Sequence, residues 1–485
     1  MKSIHLIGVA GTGMGAFAGL LKAAGYDVRG SDHNVYPPMS DKLQEWGIEV
    51  KTPYQAENLD PAPDLVVVGN VVRQDNPEAA AMRERHLQHA SFPATVGDLF
   101  LSKRHSVVVA GTHGKTTTST LIAWTLLHAG RDPGFLVGGV PAGTGHMMPE
   151  SFRLGAPGPV SPFVIEGDEY DTAYFDKGPK FLHYAPKALL CTSLEYDHAD
   201  IYPNVGAIIG RFSEVMSLVP SADEGGHIVM WADEPNLKKA RSEAVVTARI
   251  TTYAVSPDAA GASANVTAKN VVENESGLAL NIMVNGVDVG RVTLPLSGTH
   301  GVLNALGAFA VLSEKTGGLG LSVAEISAGF QAFPGVKRRL EIRGEADGVV
   351  VVDDFAHHPT AVRMTLEGAR RRWPGRPLWA IFEPRSATSC RKIFQDDYAR
   401  AFDAADKVLL APPGRALDPD VALDVPQLAT DLQGRGKDAE AYSSIDELVL
   451  VAKASAPRGM GGAVLLCMSN GAFGGIHTRL LEAFQ

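Results

Sequence analysis

The stretch GTHGKTT, Gly111 to Thr117, follows an apolar run and opens a segment of helical periodicity. Such a stretch can cradle phosphates. Small residues let backbone N–H groups turn toward an anion, and the helix N-terminus behind them adds partial positive charge. Lys115 stands where an ammonium neutralises β- and γ-phosphates, and Thr116 where a hydroxyl ligates Mg²⁺. Gly111, Thr112, His113, Gly114 and Thr117 complete the loop. Val109 takes the place of the first glycine of a strict P-loop, and Gly111 supplies the flexibility instead. A chance glycine-rich turn is the plain alternative. The strand before and the helix after favour the phosphate loop.

Triphosphate chemistry needs a metal held by hard oxygen ligands. Acidic residues gather at two apolar strand ends: Glu166, Asp168, Glu169 and Asp171 in IEGDEYD, and Glu195, Asp197 and Asp200 in LEYDHAD. A carboxylate at the C-terminal end of a buried parallel strand meets the ligand crevice. Glu166 is the expected metal carboxylate. His198, inside DHAD, is open between metal ligand, base and hydrogen-bonded structural residue.

Near the N-terminus, Gly11, Gly13 and Ala16 satisfy G-x-G-x-x-A around Gly15, and Asp32 follows Ser31 about twenty residues on. NAD and a UDP-sugar present the same pyrophosphate to such a helix end, and spacing does not separate them. In VVDDFAHHPTA, Asp353, Asp354, His357 and His358 read either as a transition-metal cluster or as a polar strand-end loop facing a nucleotide. Adjacent side chains on an extended strand point to opposite faces, which favours the loop. Of Arg338 and Arg339, one can reach a phosphate while the other serves as a solvated hinge charge. Asn304 reads as a polar residue at a helix start or as an adenine contact. Arg385 in EPRS and Ser469-Asn470 in MSNG sit at strand ends, as carboxylate contacts or as ordinary loop polarity.

These residues need elements to position them. A chain of 485 residues exceeds one hydrophobic core, so about three domains are expected. Apolar runs alternate with helical segments, which indicates parallel strands buried on both faces. The fold class is α/β, with three domains in series. Residues 1–104 read as a Rossmann-like unit and 105–334 as a P-loop ATPase-type parallel sheet. The latter carries a small antiparallel patch turning at Asn285-Gly286. Residues 335–485, beyond a hinge at Pro334-Gly335, read as a second Rossmann-like unit. A formal net charge of −10 argues against a nucleic-acid surface while leaving room for a local basic pocket. Cys191, Cys390 and Cys467 lack metal-like spacing and suggest a reducing compartment. With no signal-peptide pattern and no run of about twenty apolar residues, a cytoplasmic protein without a membrane partner is expected.

Taken together the chain resembles the Mur ligases, the ATP-dependent enzymes that build the peptide stem of bacterial peptidoglycan. The resemblance runs nearly the whole length. It rests on GTHGKTTT, IEGDEYD, the DHAD histidine, HGVLNALGA, RRLE and DDFAHHPTA in that order. GSDHNVYPPMS, DEYDTAYFDK, FEPRSATS and MSNGAFGGIH look like the branch that adds a recovered tripeptide to UDP-N-acetylmuramate, rather than the branch that adds L-alanine. What the resemblance implies is specific. Lys115 binds the β/γ-phosphates and Thr116 the magnesium, while Glu166 and His198 match metal-binding and catalytic positions. Asn304 matches an adenine-side asparagine, Arg339 the arginine, and Asp354, with His357 nearby, the ribose contact. Gly11, Gly13, Gly15, Ser31 and Asp32 match UDP-holding loops, and the third domain holds the peptide near Arg385, Ser469 and Asn470. The family usually has His-Asn where this chain has His300-Gly301, so one nucleotide contact is absent or made through water. ATP and Mg²⁺ are implied, with UDP-N-acetylmuramate and the tripeptide as substrates, an acyl phosphate between them, and no obligate protein partner. Rival readings are the alanine-adding ligase, a folylpolyglutamate-synthetase-like ligase, and a non-catalytic nucleotide sensor.

Overall fold

The computed structural model of the chain describes residues 2–143, 145, 147–255 and 264–485. Three α/β domains follow one another, each around its own sheet. The first sheet has five parallel strands in the order Glu49–Lys51, Asp27–Ser31, Ser3–Ile7, Leu65–Val68 and His89–Ser91. Its central strand begins the domain because Ile4, Leu6 and Ile7 bury apolar side chains on both faces. The helix Thr12–Ala23 follows at once and buries Phe17, Leu20 and Leu21 against that strand. Gly25, at φ +87°, takes the left-handed turn that ends it.

The second sheet has ten strands, and His105–Ala110 lies inside it between Ala188–Cys191 and Pro162–Gly167, parallel to both. This placement brings the chemistry together. The phosphate loop leaves the C-terminal end of one strand, and the acidic segments leave the same ends of its two neighbours. Val107, Val108 and Val109 are fully buried, which contributes roughly 1.5–3 kcal/mol for each such side chain removed from water. The turn expected at Asn285-Gly286 forms, with both residues at positive φ, between the antiparallel strands Gly277–Val284 and Val287–Leu294. The antiparallel strands do not stand apart. Val266–Asn274 pairs parallel with Arg249–Ala254 and makes the hairpin an extension of the main sheet.

The third sheet runs Glu341–Ala346, Val349–Asp354, Val464–Met468, Leu378–Phe382, Lys407–Leu410 and Asp438–Ala441, antiparallel only at its first pair. The linker that reaches it is pinned rather than loose. Ala142 N donates to Gly335 O at 3.0 Å and Lys337 N to Val140 O at 2.9 Å, while Gly335, Arg338 and Leu340 all have positive φ. Among the described residues no helix is long and apolar enough to cross a membrane. All three cysteines are free and buried.

Burial leaves a pH signature. His227, His300 and His358 are each pushed down to about 4 by desolvation, so they stay neutral in the fold. The unfolded chain binds these protons first. The stability they contribute is therefore full above about pH 6.5 and lost as pH falls toward 4, up to roughly 3 kcal/mol for each group. Melting temperature should drop between pH 7 and pH 5. His227, which meets the Thr251 hydroxyl at 2.9 Å in the central sheet, is the cleanest probe. In His227→Asn the fall should be shallower, and a slope equal to that of the wild type would contradict the assignment.

Candidate active site

The loop between His105–Ala110 and the helix Lys115–His128 turns through Gly111 at φ +142° and Gly114 at φ +84°. Both glycines are also required by space. A Cβ on Gly111 would lie 2.0 Å from Thr192 Oγ1, and one on Gly114 2.5 Å from Asn304 Oδ1. The loop is sewn to the neighbouring strand end: His113 N donates to Ser193 Oγ at 2.9 Å, Thr192 Oγ1 to His113 O at 2.5 Å, and Glu195 N to Thr112 Oγ1 at 2.8 Å. Lys115, first in the helix, donates from Nζ to Gly111 O at 2.6 Å and to Glu169 Oε2 at 2.8 Å.

Thr116 and Glu166 come together, with the hydroxyl donating to Oε2 at 3.1 Å. Ser119 and the Gly138 N–H supply Oε1 at 3.2 and 2.5 Å. His198 pairs instead with Glu169, Nε2 to Oε1 at 3.4 Å, and its own N–H donates to Asp197 Oδ1 at 2.7 Å. Glu169, Asp197 and His198 offer ligand atoms within 4.8 Å of one another. Glu169 is thus the residue that joins the loop lysine to the histidine. It was visible in sequence only as one of several acids, because nothing in IEGDEYD says which carboxylate turns inward.

The electrostatics follow from burial among opposed charges. Burial works against the Lys115 charge, but Glu169 and Asp168 outweigh it and its pKa lies above the ordinary lysine value. Burial, with Asp168 beside it, raises Glu166. Burial opposes Glu169 and Asp168 too, yet Lys115 holds the first below the usual carboxylate range, and Lys180 with Lys115 holds the second there. His198 is lowered by burial and raised more by Glu169, so it keeps its proton above the usual pH.

A second carboxylate bridges domains. Glu195 Oε2 accepts from Thr360 Oγ1 at 2.7 Å and lies 3.4 Å from His113 Nε2 and 3.6 Å from His358 Nδ1. Desolvation would raise Glu195, but the His113 contact holds it at about 2.

Other expectations are redistributed. Asn304 sits in the interior of the helix Gly298–Leu312, not at its start, with its carboxamide over Gly114. Gly301 packs against Leu278 and Leu296, each 3.0 Å from where a Cβ would sit, so a side chain there would have to push these leucines aside. Arg338 is not a solvated charge: Nη2 donates at 2.7 Å to both Ser469 O and Gly471 O. Arg339 flanks the Phe355 ring at 5.2 Å and lies near enough to Asp354 to counter part of the rise that burial gives its pKa. Asp354 accepts from Leu340 N and Ala356 N, each at 2.8 Å, and faces the linker. His357 Nδ1 lies 3.1 Å from Phe355 O, His358 caps the helix Pro359–Arg372, and Asp353 pairs with Arg338 and His477. The two-aspartate, two-histidine run therefore disperses and is no metal cluster.

In the first domain, no atom lies within 4 Å of where a Cβ on Gly11 or Gly13 would sit, which leaves the helix N-terminus open, whereas Gly15 packs on Met39. Asp32 fastens the loop, accepting from Ala10 N at 2.8 Å and Tyr54 OH at 3.3 Å. Ser31 lies beneath it, fully buried, donating to Glu78 at 2.5 Å with His5 also on that carboxylate at 3.0 Å. Sequence gave no sign of His5, Tyr54 or Glu78, since each acts through distant partners. In the third domain Arg385 and Ser469 meet an unforeseen acid, Glu383, which accepts from Ser469 Oγ at 2.5 Å and lies 3.8 Å from Arg385 Nη1, while the neighbouring Asn470 Oδ1 is buried without a partner.

Family models match three segments: residues 3–104 "Mur ligase family, catalytic domain", 109–312 "Mur ligase middle domain", and 338–471 "Mur ligase, glutamate ligase domain". The UDP-N-acetylmuramate--L-alanyl-gamma-D-glutamyl-meso-2,6-diaminoheptandioate ligase of Escherichia coli is 37% identical over 99% of this chain and 97% of its own. The UDP-N-acetylmuramate--L-alanine ligase of Desulfitobacterium hafniense is 32% identical over 84% of each. The crystal structure of a murein peptide ligase from Psychrobacter arcticus superposes with a TM-score of 0.73 at 35% identity, covering 100% of this chain and 99% of that one.

Replacing Lys115 by alanine leaves Glu169 and Asp168 without their shared cation. Mg-ATP should raise the melting temperature of the wild type by mass action and leave that of Lys115→Ala unchanged. An equal ligand-induced shift in both would remove Lys115 from the phosphate cradle.

Proposed function

Because the chain belongs to the Mur ligase family, we propose that it joins UDP-N-acetylmuramate to the tripeptide L-Ala-γ-D-Glu-meso-diaminopimelate at the expense of ATP, in peptidoglycan recycling. The observation that carries the ligase reading is the line Lys115–Glu169–His198, centred on the buried Glu169, at the meeting of three strand ends. The tripeptide as acceptor is supported by similarity along 99% of the chain to a tripeptide ligase, against 84% for an alanine ligase.

A carboxylate is a poor electrophile. Phosphorylating the muramoyl carboxylate supplies a leaving group, and the alanyl amine of the tripeptide then attacks the acyl phosphate through a tetrahedral intermediate. The products are the amide, ADP and inorganic phosphate. Lys115 stabilises charge on the phosphoryl group in transit and is fixed in place by Gly111 O and Glu169. The residues fit Mg²⁺: buried Glu169 Oε1 is met only by the long 3.4 Å approach of His198 Nε2, and Glu166 and Thr116 add hard oxygens. Thr116, Glu166, Glu169 and His198 would hold the ion, which when bound neutralises phosphate charge. His198, 3.4 Å from Glu169, stands on the ion side of the loop, and as a ligand its ring would be neutral. Gly11 and Gly13 leave a helix end open for the UDP pyrophosphate, with Asp32 bracing the loop, and Asn304 and Arg339 stand on the nucleotide side. Glu195, tied to Thr112 in the loop and to Thr360 in the third domain, keeps the two together so that water is excluded from the acyl phosphate.

Two measurements test this. With ATP and UDP-N-acetylmuramate, phosphate release should be faster with the tripeptide than with L-alanine, on the order of tenfold or more in kcat/KM. A preference for alanine would move the chain to the other branch, and no release with either amine would leave a nucleotide sensor. With oxygen-18 in the muramoyl carboxylate, one labelled oxygen should appear in inorganic phosphate, and its absence would exclude the acyl phosphate.

A further inference from the structure

The third sheet has a crevice that the activity above does not by itself specify. Leu378–Phe382 and Val464–Met468 lie side by side, and the chain leaves them toward opposite faces. After the first strand it runs to the helix Gln395–Ala401, whose Tyr398 and Ala399 join the core on the face of Ala380 and Phe382. After the second it runs to the helix Ile476–Ala483, whose Ile476 and Leu480 join the core on the face of Ile381 and Cys467. The two loops therefore part at the C-terminal strand edge, the place where open α/β sheets bind ligands.

This edge holds one half-exposed guanidinium in a built seat. Arg385 crosses two glycines. A Cβ on Gly471 would lie 2.1 Å from its Cδ and Nε, and one on Gly414 2.9 Å from its Cγ. Glu383, 4% exposed, stands 3.8 Å from Arg385 Nη1 and is fixed by the Ser469 hydroxyl. The floor is rigid, since Arg338 ties down the carbonyls of Ser469 and Gly471, and Ser389 Oγ accepts the Arg385 N–H at 2.9 Å. Asn470 Oδ1, in the same loop, is buried without a donor. Glu383 neutralises one side of the guanidinium and leaves its other edge free. A planar fork held in this way binds a carboxylate bidentately.

We infer that Gly414, Gly471 and Glu383 set acceptor specificity by seating Arg385 flat in this crevice, where it takes a carboxylate of the incoming peptide. The inference rests on the acceptor proposed above. Gly471 and Glu383 are positioning residues that act through Arg385. Because the side chain that Gly471 would strike is a flexible one, a methyl group there displaces Arg385 and leaves the sheet intact.

The test is steady-state amide formation by the full chain with the tripeptide and with two singly amidated forms, one at the diaminopimelyl α-carboxylate and one at the D-glutamyl α-carboxylate. Gly471→Ala should raise the tripeptide KM about tenfold or more while the KM values for ATP and UDP-N-acetylmuramate stay within about twofold. One of the amidated peptides should show the same rise on the wild type and little further rise on the variant. Arg385→Gln, which alters no backbone environment, should reproduce the pattern and serves if Gly471→Ala folds poorly. Penalties from amidation and substitution that add fully for both peptides would overturn the seat, as would an unchanged peptide KM in Arg385→Gln. A wild type that forms amide with L-alanine and none with the tripeptide would overturn the acceptor reading and the seat with it.

Discussion

The contact between the Lys115 ammonium and the Glu169 carboxylate orders the central domain's chemistry. Both groups are largely withdrawn from water, where an unpaired charge costs several kcal/mol, so neither is tolerable alone. Satisfying them dictates much else. Lys115 must open the helix, the loop must bring the Gly111 carbonyl back to Nζ, and the IEGDEYD segment must follow a strand adjacent and parallel to the loop's own. The order of the central sheet can be read as the solution to that requirement. The excess of acid around the pair then gives the site its appetite for further positive charge.

The domains do not meet through broad apolar faces at this point but through a few polar side chains with two allegiances. Glu195 belongs by backbone to the phosphate loop and by carboxylate to Thr360. Arg338 belongs by sequence to the linker and by hydrogen bonds to the loop that ends the third sheet. Asp354 fastens the linker at Leu340 N. Polar contacts of this kind exchange readily with water, which suits an enzyme that must admit its substrates and then shut out water.

How much of this was legible beforehand depends on the range of each interaction. The strands, the helices flanking them, the hairpin turn at Asn285-Gly286 and the phosphate loop are written in local patterns of apolarity and glycine, and they appear where those patterns put them. Thr116 with Glu166 was legible because a strand-end acid beside such a loop has few other places to point. Glu169 in preference to its neighbours, Glu195 as a bridge, and Glu383 beneath Arg385 were not, since each is selected by partners tens to hundreds of residues away. Asn304 and Asp354 show the same limit from the other side. Their positions stood out, but helix register placed the first over Gly114, and the linker's unpaired N–H at Leu340 claimed the second.

The double attachment of Glu195 bears on how the chain can be taken apart. A domain that lends a hydroxyl and an imidazole to its neighbour's loop is not an interchangeable module. A chimera that grafts a relative's C-terminal portion onto this phosphate loop would have to carry Thr360 and His358 across the splice, or inherit a loop whose carboxylate has lost its foreign partners.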